Sequence, residues 1–266
     1  MAGLDVANTR YRENPFKRNW LVTASWLVLL IYLLYSFNSM GLTWERFSHG
    51  LDIADKLMDR AFPPNFGRWE LLLSGLAESL EIAVIASVVG IFLSLFFGLF
   101  AARNMMPNWI TVPMRAFIAV CRTFHPVIIA ILFVKSVGFG ALAGILTLIV
   151  ASIGFIAKLF AEAIEEISLK QVEAIRATGA GFVSVTLFSV MPQVFSRFIG
   201  FSMYQLDSNL RNSTMVGIVG AGGLGGTLFS AFQRFDYDFV AAILITIIAL
   251  IMLGELLSNL VRRIFK

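Results

Sequence analysis

Three sets of residues in this chain have types and spacings that chemistry could use. The first is the glycine-rich stretch from Met215 to Gly226, which reads MVGIVGAGGLGG. Gly220-x-Gly222-x-x-Gly225 satisfies the dinucleotide-binding fingerprint, and Asp238 lies near the spacing of a ribose-binding acid. The same residues approach a phosphate-binding P-loop, but position 226 is Gly, so the lysine that would hold the β/γ-phosphates is missing. A Rossmann unit also needs a sheet built from βαβ crossovers, and the flanking apolar runs leave room for about one such unit at most. A nucleotide site is therefore set aside. Two uses remain for the glycines. They permit tight turns and close helix contact, or their successive N–H groups form an anion-binding concavity around Gly222 and Gly223. The second set is Arg122 and His125, just ahead of Pro126, together with Arg197, all inside apolar runs. The third is the polar run Val172-Glu173-Ala174-Ile175-Arg176-Ala177-Thr178-Gly179. Two isolated histidines and the single Cys121 supply neither a metal cluster nor a nucleophile with its base, so no catalytic residue is expected.

The elements that must position these residues are set by composition. The chain has 266 residues, 58% hydrophobic and 14% charged. A soluble domain averages about 45–50% apolar and about 25% charged, so the surplus points to a bilayer. The net charge of +4 brings no basic-aromatic patch with it, and nucleic acid is not an expected partner. A bilayer core needs about 20 apolar residues per helix. Six stretches qualify, at roughly 19–38, 79–101, 115–136, 139–161, 186–207 and 237–260. No small-residue cleavage site follows the first, and it is long for a signal-peptide core, so it reads as a retained anchor helix.

Lysine and arginine set the orientation. One side carries Arg10, Arg12, Lys17, Arg18, Arg103, Arg115, Lys158, Lys170, Arg176, Arg262, Arg263 and Lys266. The other carries Arg46, Lys56, Arg60, Arg68, Lys135, Arg211 and Arg234. The bias puts both termini, and the 172–179 segment, in the cytoplasm. Between the first two spans, Leu51, Ile53, Ala54, Leu57 and Met58 alternate with charged residues, which predicts an amphipathic helix ended by Pro63-Pro64. Glu78 and Glu81 open the second span, where acids suit a helix N-terminus.

Pro126 is expected to kink the third span. Arg122 either snorkels to the interface or faces a cavity, and Arg197, near the middle of the fifth span, reads as cavity-facing. His125 is either a packing histidine or a substrate contact. The run from Leu169 to Thr178 reads as a short helix. Ser168 is its N-cap, Gln171 completes a capping box, and Gly179 supplies the left-handed stop. Leu169, Val172, Ile175 and Ala177 can seat on the bundle or in a groove, and Glu173 and Arg176 can pair at i, i+3. On physics alone this is either an amphipathic loop helix or a docking element.

The chain resembles the membrane subunits, or permeases, of ATP-driven (ABC) importers. Their coupling segment carries Glu-Ala-Ala, three residues, Gly, nine residues, then Ile-x-Leu-Pro. Here Glu173, Ala174, Gly179 and Pro192 stand in that register, while Ile175, Ser189 and Met191 depart from it. Adding Gln193, the run Ser208-Asn209-Leu210-Arg211-Asn212-Ser213-Thr214-Met215-Val216-Gly217 and Gly220-Ala221-Gly222-Gly223-Leu224-Gly225, the resemblance narrows to phosphonate-type permeases over about residues 76–266. Arg122-Thr123, Phe139-Gly140 and Leu159-Phe160-Ala161-Glu162 fit the same family, though methionine permeases share the glycine stretch. The resemblance implies an all-α type I importer bundle of about six transmembrane helices. Residues 1–75 would be a tail, anchor helix and outer segment, and 76–266 the permease domain, with the coupling helix at about 168–180. It implies a bacterial inner-membrane homodimer, two cytoplasmic ATPase subunits and an extracytoplasmic substrate-binding protein. ATP and magnesium would be held by the ATPase and no cofactor by this chain. Glu173, Ala174, Arg176 and Gly179 would couple to the ATPase. Arg122, His125, Arg197, Asn209, Arg211, Gly222 and Gly223 would border the translocation path. Valine at Gly222 or Gly223 is then expected to cut uptake and leave assembly intact. A self-contained ion-coupled carrier is the other class considered, but it would want paired acids or histidines near the midplane.

Overall fold

A computed structural model describes residues 20–41 and 43–264, and every element among them is helical. Arg10, Arg12, Lys17, Arg18 and Lys266, used above for orientation, lie outside the described residues. The chain divides between Asp59 and Arg60 into two compact units. In the first, α1 runs Trp20–Ser39 with no buried residue. An 18-residue run of this hydropathy needs no protein neighbour to be stable in lipid, because its backbone bonds are all internal. Helix α2 runs Trp44–Ala61. It begins well before the expected amphipathic stretch because Thr43 Oγ1 accepts the Arg46 N–H at 3.3 Å, a local N-cap.

The second unit is a helical bundle built on α3 (Trp69–Ala101) and α6 (Ala141–Glu165). Helix α3 buries Gly75, Ser79, Ala83, Ala86, Ser87, Gly90, Ser94, Gly98 and Ala101. These small residues recur every three or four positions and make one flat stripe. In lipid, where no hydrophobic force drives helices together, such a stripe lets backbones approach and dispersion contacts accumulate. At Gly90 the approach is so close that a Cβ would lie 2.6 Å from the Ser152 Cβ on α6.

Among the described residues, five helical stretches are long and apolar enough to cross a membrane, or six if one bent pair counts as a span. The pair is α4 (Asn108–Thr123) and α5 (Pro126–Val137), which meet at 90°. The expected kink at Pro126 is thus a full break. Pro126 opens α5, and His125 caps it by accepting the Val127 N–H on Nδ1 at 3.3 Å.

After α7 (Leu169–Ala177) the chain enters a 40-residue helical rod, Phe182–Ala221. It comprises α8 (Phe182–Val185), a π turn at Thr186–Val190, α9 (Met191–Val216) and a second π turn at Gly217–Ala221. Pro192 has no N–H to offer the preceding turn, and the first π turn absorbs the gap, with the Met191 N–H donating to Thr186 O. The rod contains the expected fifth span, 186–207, and extends beyond both of its ends. Gln205, Asp207, Asn209 and Arg211 depress the local hydropathy, yet α9 runs through all four and buries the first three. Helices α10 (Gly223–Gln233) and α11 (Tyr237–Ile264) complete the bundle.

Candidate functional site

Helix α7 sits at one end of the bundle on a small apolar footing. Val172 is fully buried with Val185, Val190, Val194, Ala102, Met105 and Ile164, and Ile175 is half-buried beside them. Glu173, Ala174 and Arg176 are exposed, as is Leu169. Seating two apolar positions of nine leaves one face of α7 free. Its start is not fixed by the expected capping box, because the Ser168 side chain makes no cap bond. Gln193, in the first turn of α9, does the work instead. Its Oε1 accepts the Ser168 N–H at 3.0 Å, and its Nε2 donates to Ser189 O at 2.9 Å. A side chain on a neighbouring helix thus satisfies the N-terminal backbone. The stop is as expected, with Gly179 at φ +80° donating its N–H to Arg176 O at 3.0 Å. The expected Glu173–Arg176 pair is not among the ion pairs of the described residues, and both side chains are exposed.

The ground beneath α7 is braced by ions. Glu165, at the end of α6, accepts the Arg103 N–H at 2.7 Å and pairs with Arg115 on α4. The Arg115 Nε donates to Ala101 O at 2.9 Å, and Asn104 Nδ2 donates to Ile164 O at 2.6 Å. Arg197 pairs with Glu166. That bond places Arg197 at the α7 end of the bundle, not at mid-span facing a cavity, because the rod runs on for 24 residues beyond it. Arg122 lines a cavity of about 230 Å³ with Arg115, Lys158 and Glu162. Its backbone touches Gly154, near the middle of α6, while Arg115 and Glu162 stand nearer the α7 end, so the side chain reaches in the direction a snorkelling arginine takes.

At mid-bundle the structure shows a network that periodicity did not reveal. Asn209 Nδ2 donates to Ser87 Oγ at 2.9 Å and to Ser152 Oγ at 3.2 Å. Gln205 Nε2 donates to Ser152 Oγ and to Asn209 Oδ1, both at 2.9 Å. Asn209 is wholly buried. Its expected place on a path is therefore corrected for this conformation: the carboxamide ties α3, α6 and α9 together. Arg211, two residues on, pairs with Asp207 and keeps an exposed side chain.

At the far end Gly222 and Gly223 take φ +84° and +72°. A Cβ at Gly222 would lie 2.4 Å from Glu78 Oε1, and one at Gly223 would lie 2.4 Å from Ser79 Oγ. Ser79 Oγ in turn accepts the Leu224 N–H at 2.8 Å. The expectation that valine here would spare assembly is overturned, since both positions are packing contacts in a backbone region that L-residues avoid. Both also line a cavity of about 370 Å³ with Arg68, Glu78, Thr227, Ser230 and Arg234.

Comparison with known proteins adds the family context. The family described as "Binding-protein-dependent transport system inner membrane component" matches residues 94–266. The phosphate-import permease protein PhnE of Mycolicibacterium smegmatis is 38% identical over 237 residues, 87% of this chain and 43% of that protein. The chain thus spans under half the length of that relative. The phosphite transport system permease protein PtxC of Stutzerimonas stutzeri is 36% identical over 219 residues, 82% of this chain and 80% of that one. Among solved structures, an inward-facing conformation of the MetNI methionine ABC transporter superposes with a TM-score of 0.67 at 22% identity, over 76% of this chain and 99% of that one. That likeness establishes the fold, a type I importer permease bundle.

Proposed function

We propose that this chain, which belongs to the family of binding-protein-dependent transport system inner membrane components, is the membrane-spanning subunit of an ATP-driven importer of phosphonate or a related phosphorus oxyanion. The observation that carries the reading is α7. It is a nine-residue helix whose Glu173, Ala174 and Arg176 are exposed, anchored by Val172 beneath and by Gln193 at its start. A partner ATPase receives that free face in a groove, and ATP-driven closure of two such ATPases pushes on the pair of α7 helices in a homodimer. ATP and magnesium belong to the partner. The braces Arg115–Glu165 and Arg197–Glu166 give the push a stiff base. Lysine and arginine bias supports an α7 end in the cytoplasm, both termini inside, and the cavity beside Gly222 at the outer face, where an extracytoplasmic binding protein delivers substrate.

The oxyanion class is supported by the relatives named for phosphate and phosphite transport, at 36–38% identity, against 26% for a methionine permease. The test is reconstitution of the chain with its ATPase and binding protein in liposomes. ATP-dependent accumulation of methylphosphonate, phosphite or phosphate supports the reading. Accumulation of methionine with none of the three, or uptake driven by an ion gradient without ATP, contradicts it.

A further inference from the structure

The buried network gives a depth gauge for α9. Asn209 bonds Ser152, which stands at the middle of the 25-residue α6. A helix of that length is slightly longer than a bilayer core is thick, about 30 Å. Asn209 is therefore near the midplane, and Arg211 lies about 3 Å further along the axis. At that depth lie two charges. Asp207 is buried; one carboxylate oxygen takes Arg211 Nη2, and the other, Oδ1, has no partner. The Arg211 side chain is 50% exposed. On the same strip of α9, Tyr204 and Met215 are exposed and Ser208 and Asn212 are half-buried.

A half-exposed guanidinium at the bilayer centre cannot face acyl chains without a large cost. That strip must therefore meet water or a second copy of the chain. Lipid headgroups are excluded as its ligand, because they lie about 15 Å away at the interfaces. The acid of this pair is buried while the guanidinium is half-exposed, so the outward side of the fork is open beside Ser208 and Asn212. Arg211 uses one of its five N–H donors on Asp207. The rest of the fork matches a tetrahedral oxyanion, which takes guanidinium through two parallel hydrogen bonds.

We infer that Arg211 is the oxyanion contact of the translocation path, and that Asp207 is its resident counter-ion, displaced as substrate passes. The inference rests on the importer reading above and names the site that reading lacks. With no substrate, Asp207 neutralises the guanidinium, so the empty path offers no fixed charge to hold other anions. A substrate dianion outbids the carboxylate while it is beside Arg211 and releases it on leaving. Binding is thus strong enough to admit the anion and not strong enough to trap it.

The experiment has two arms, both in the assembled complex with its ATPase and binding protein, with Cys121→Ser as background. In the first, Asp207→Asn/Arg211→Gln removes both charges together, which spares the bundle an unpaired buried ion. The variant is expected to co-purify with its ATPase while methylphosphonate uptake falls about tenfold or more, the value of a lost charged hydrogen bond. In the second, Ser208→Cys is exposed to a water-soluble methanethiosulfonate. Labelling is expected in at least one of the nucleotide-free and vanadate-trapped states, and methylphosphonate should slow it. Normal uptake by the double variant overturns the inference, as does a Ser208→Cys thiol inert in both states. If the double variant does not assemble, the labelling arm decides alone. If the unaltered complex shows no binding-protein-stimulated hydrolysis, the importer reading itself has failed, which is a different result.

Discussion

Asn209 places a carboxamide where α3, α6 and α9 cross, and its partners are hydroxyls that already donate elsewhere. Ser87 Oγ donates to Ala83 O and Ser152 Oγ to Leu148 O, each at 2.6 Å. Both hydroxyls can therefore accept from Asn209 at no loss to themselves. Asn209→Ala removes three side-chain bonds and leaves a small void, but strands no hydroxyl donor. The expected cost is about 1–3 kcal/mol, since interhelical hydrogen bonds in membranes are individually modest. It should appear as a lower unfolding midpoint of the detergent-purified chain, and an unchanged midpoint would show the network to be incidental. At this scale the sequence was legible where the physics is local. Gly179 was readable as a left-handed stop because helix termination depends on adjacent residues. Asn209 was not, because whether an amide faces a path or two serines depends on Ser87 and Ser152, 122 and 57 residues away.

Helix α7 and the rod that follows it work as one device. Gln193 holds the two together at Ser168 and Ser189, and Val172 seats between Val185 and Val190. Fully burying a valine contributes about 1.5–3 kcal/mol, so Val172, with half-buried Ile175 beside it, keeps α7 on the bundle. Gln193 fixes its angle. Gln193→Ala should therefore leave the complex assembled and ATP hydrolysis intact, while substrate moved per ATP drops severalfold. An unchanged ratio would mean that the α7 start carries no force. The existence of α7 and its length were readable from composition and from Gly179. Its true cap was not, because the S-x-x-Q pattern of Ser168 and Gln171 satisfies a local rule that a distant side chain outcompetes. The fifth span fell inside the observed rod but short of its end, for a related reason. Hydropathy penalises Gln205, Asp207, Asn209 and Arg211 as though each met lipid, and three of the four are buried among polar neighbours or an ion partner.

Across the second unit, a braced α7 end, a polar belt at mid-bundle and a glycine-packed far end succeed one another along the same helices. In the proposed importer the first would receive force, Arg211 beside the second would meet the anion, and the third would form the outer mouth. Composition made the membrane class plain, and the spans came out nearly in number because each helix must satisfy its own backbone. The 90° break between α4 and α5 was foreshadowed by Pro126, but its size was not. Everything turns on whether α7 meets an ATPase. The most direct measurement is photocrosslinking from a benzophenone attached at Glu173→Cys, in the Cys121→Ser background, within a complex that performs ATP-driven uptake. The account predicts a product joining this chain to the ATPase subunit, which would also fix the α7 end in the cytoplasm. An active complex whose probe reaches only lipid or the binding protein would contradict it.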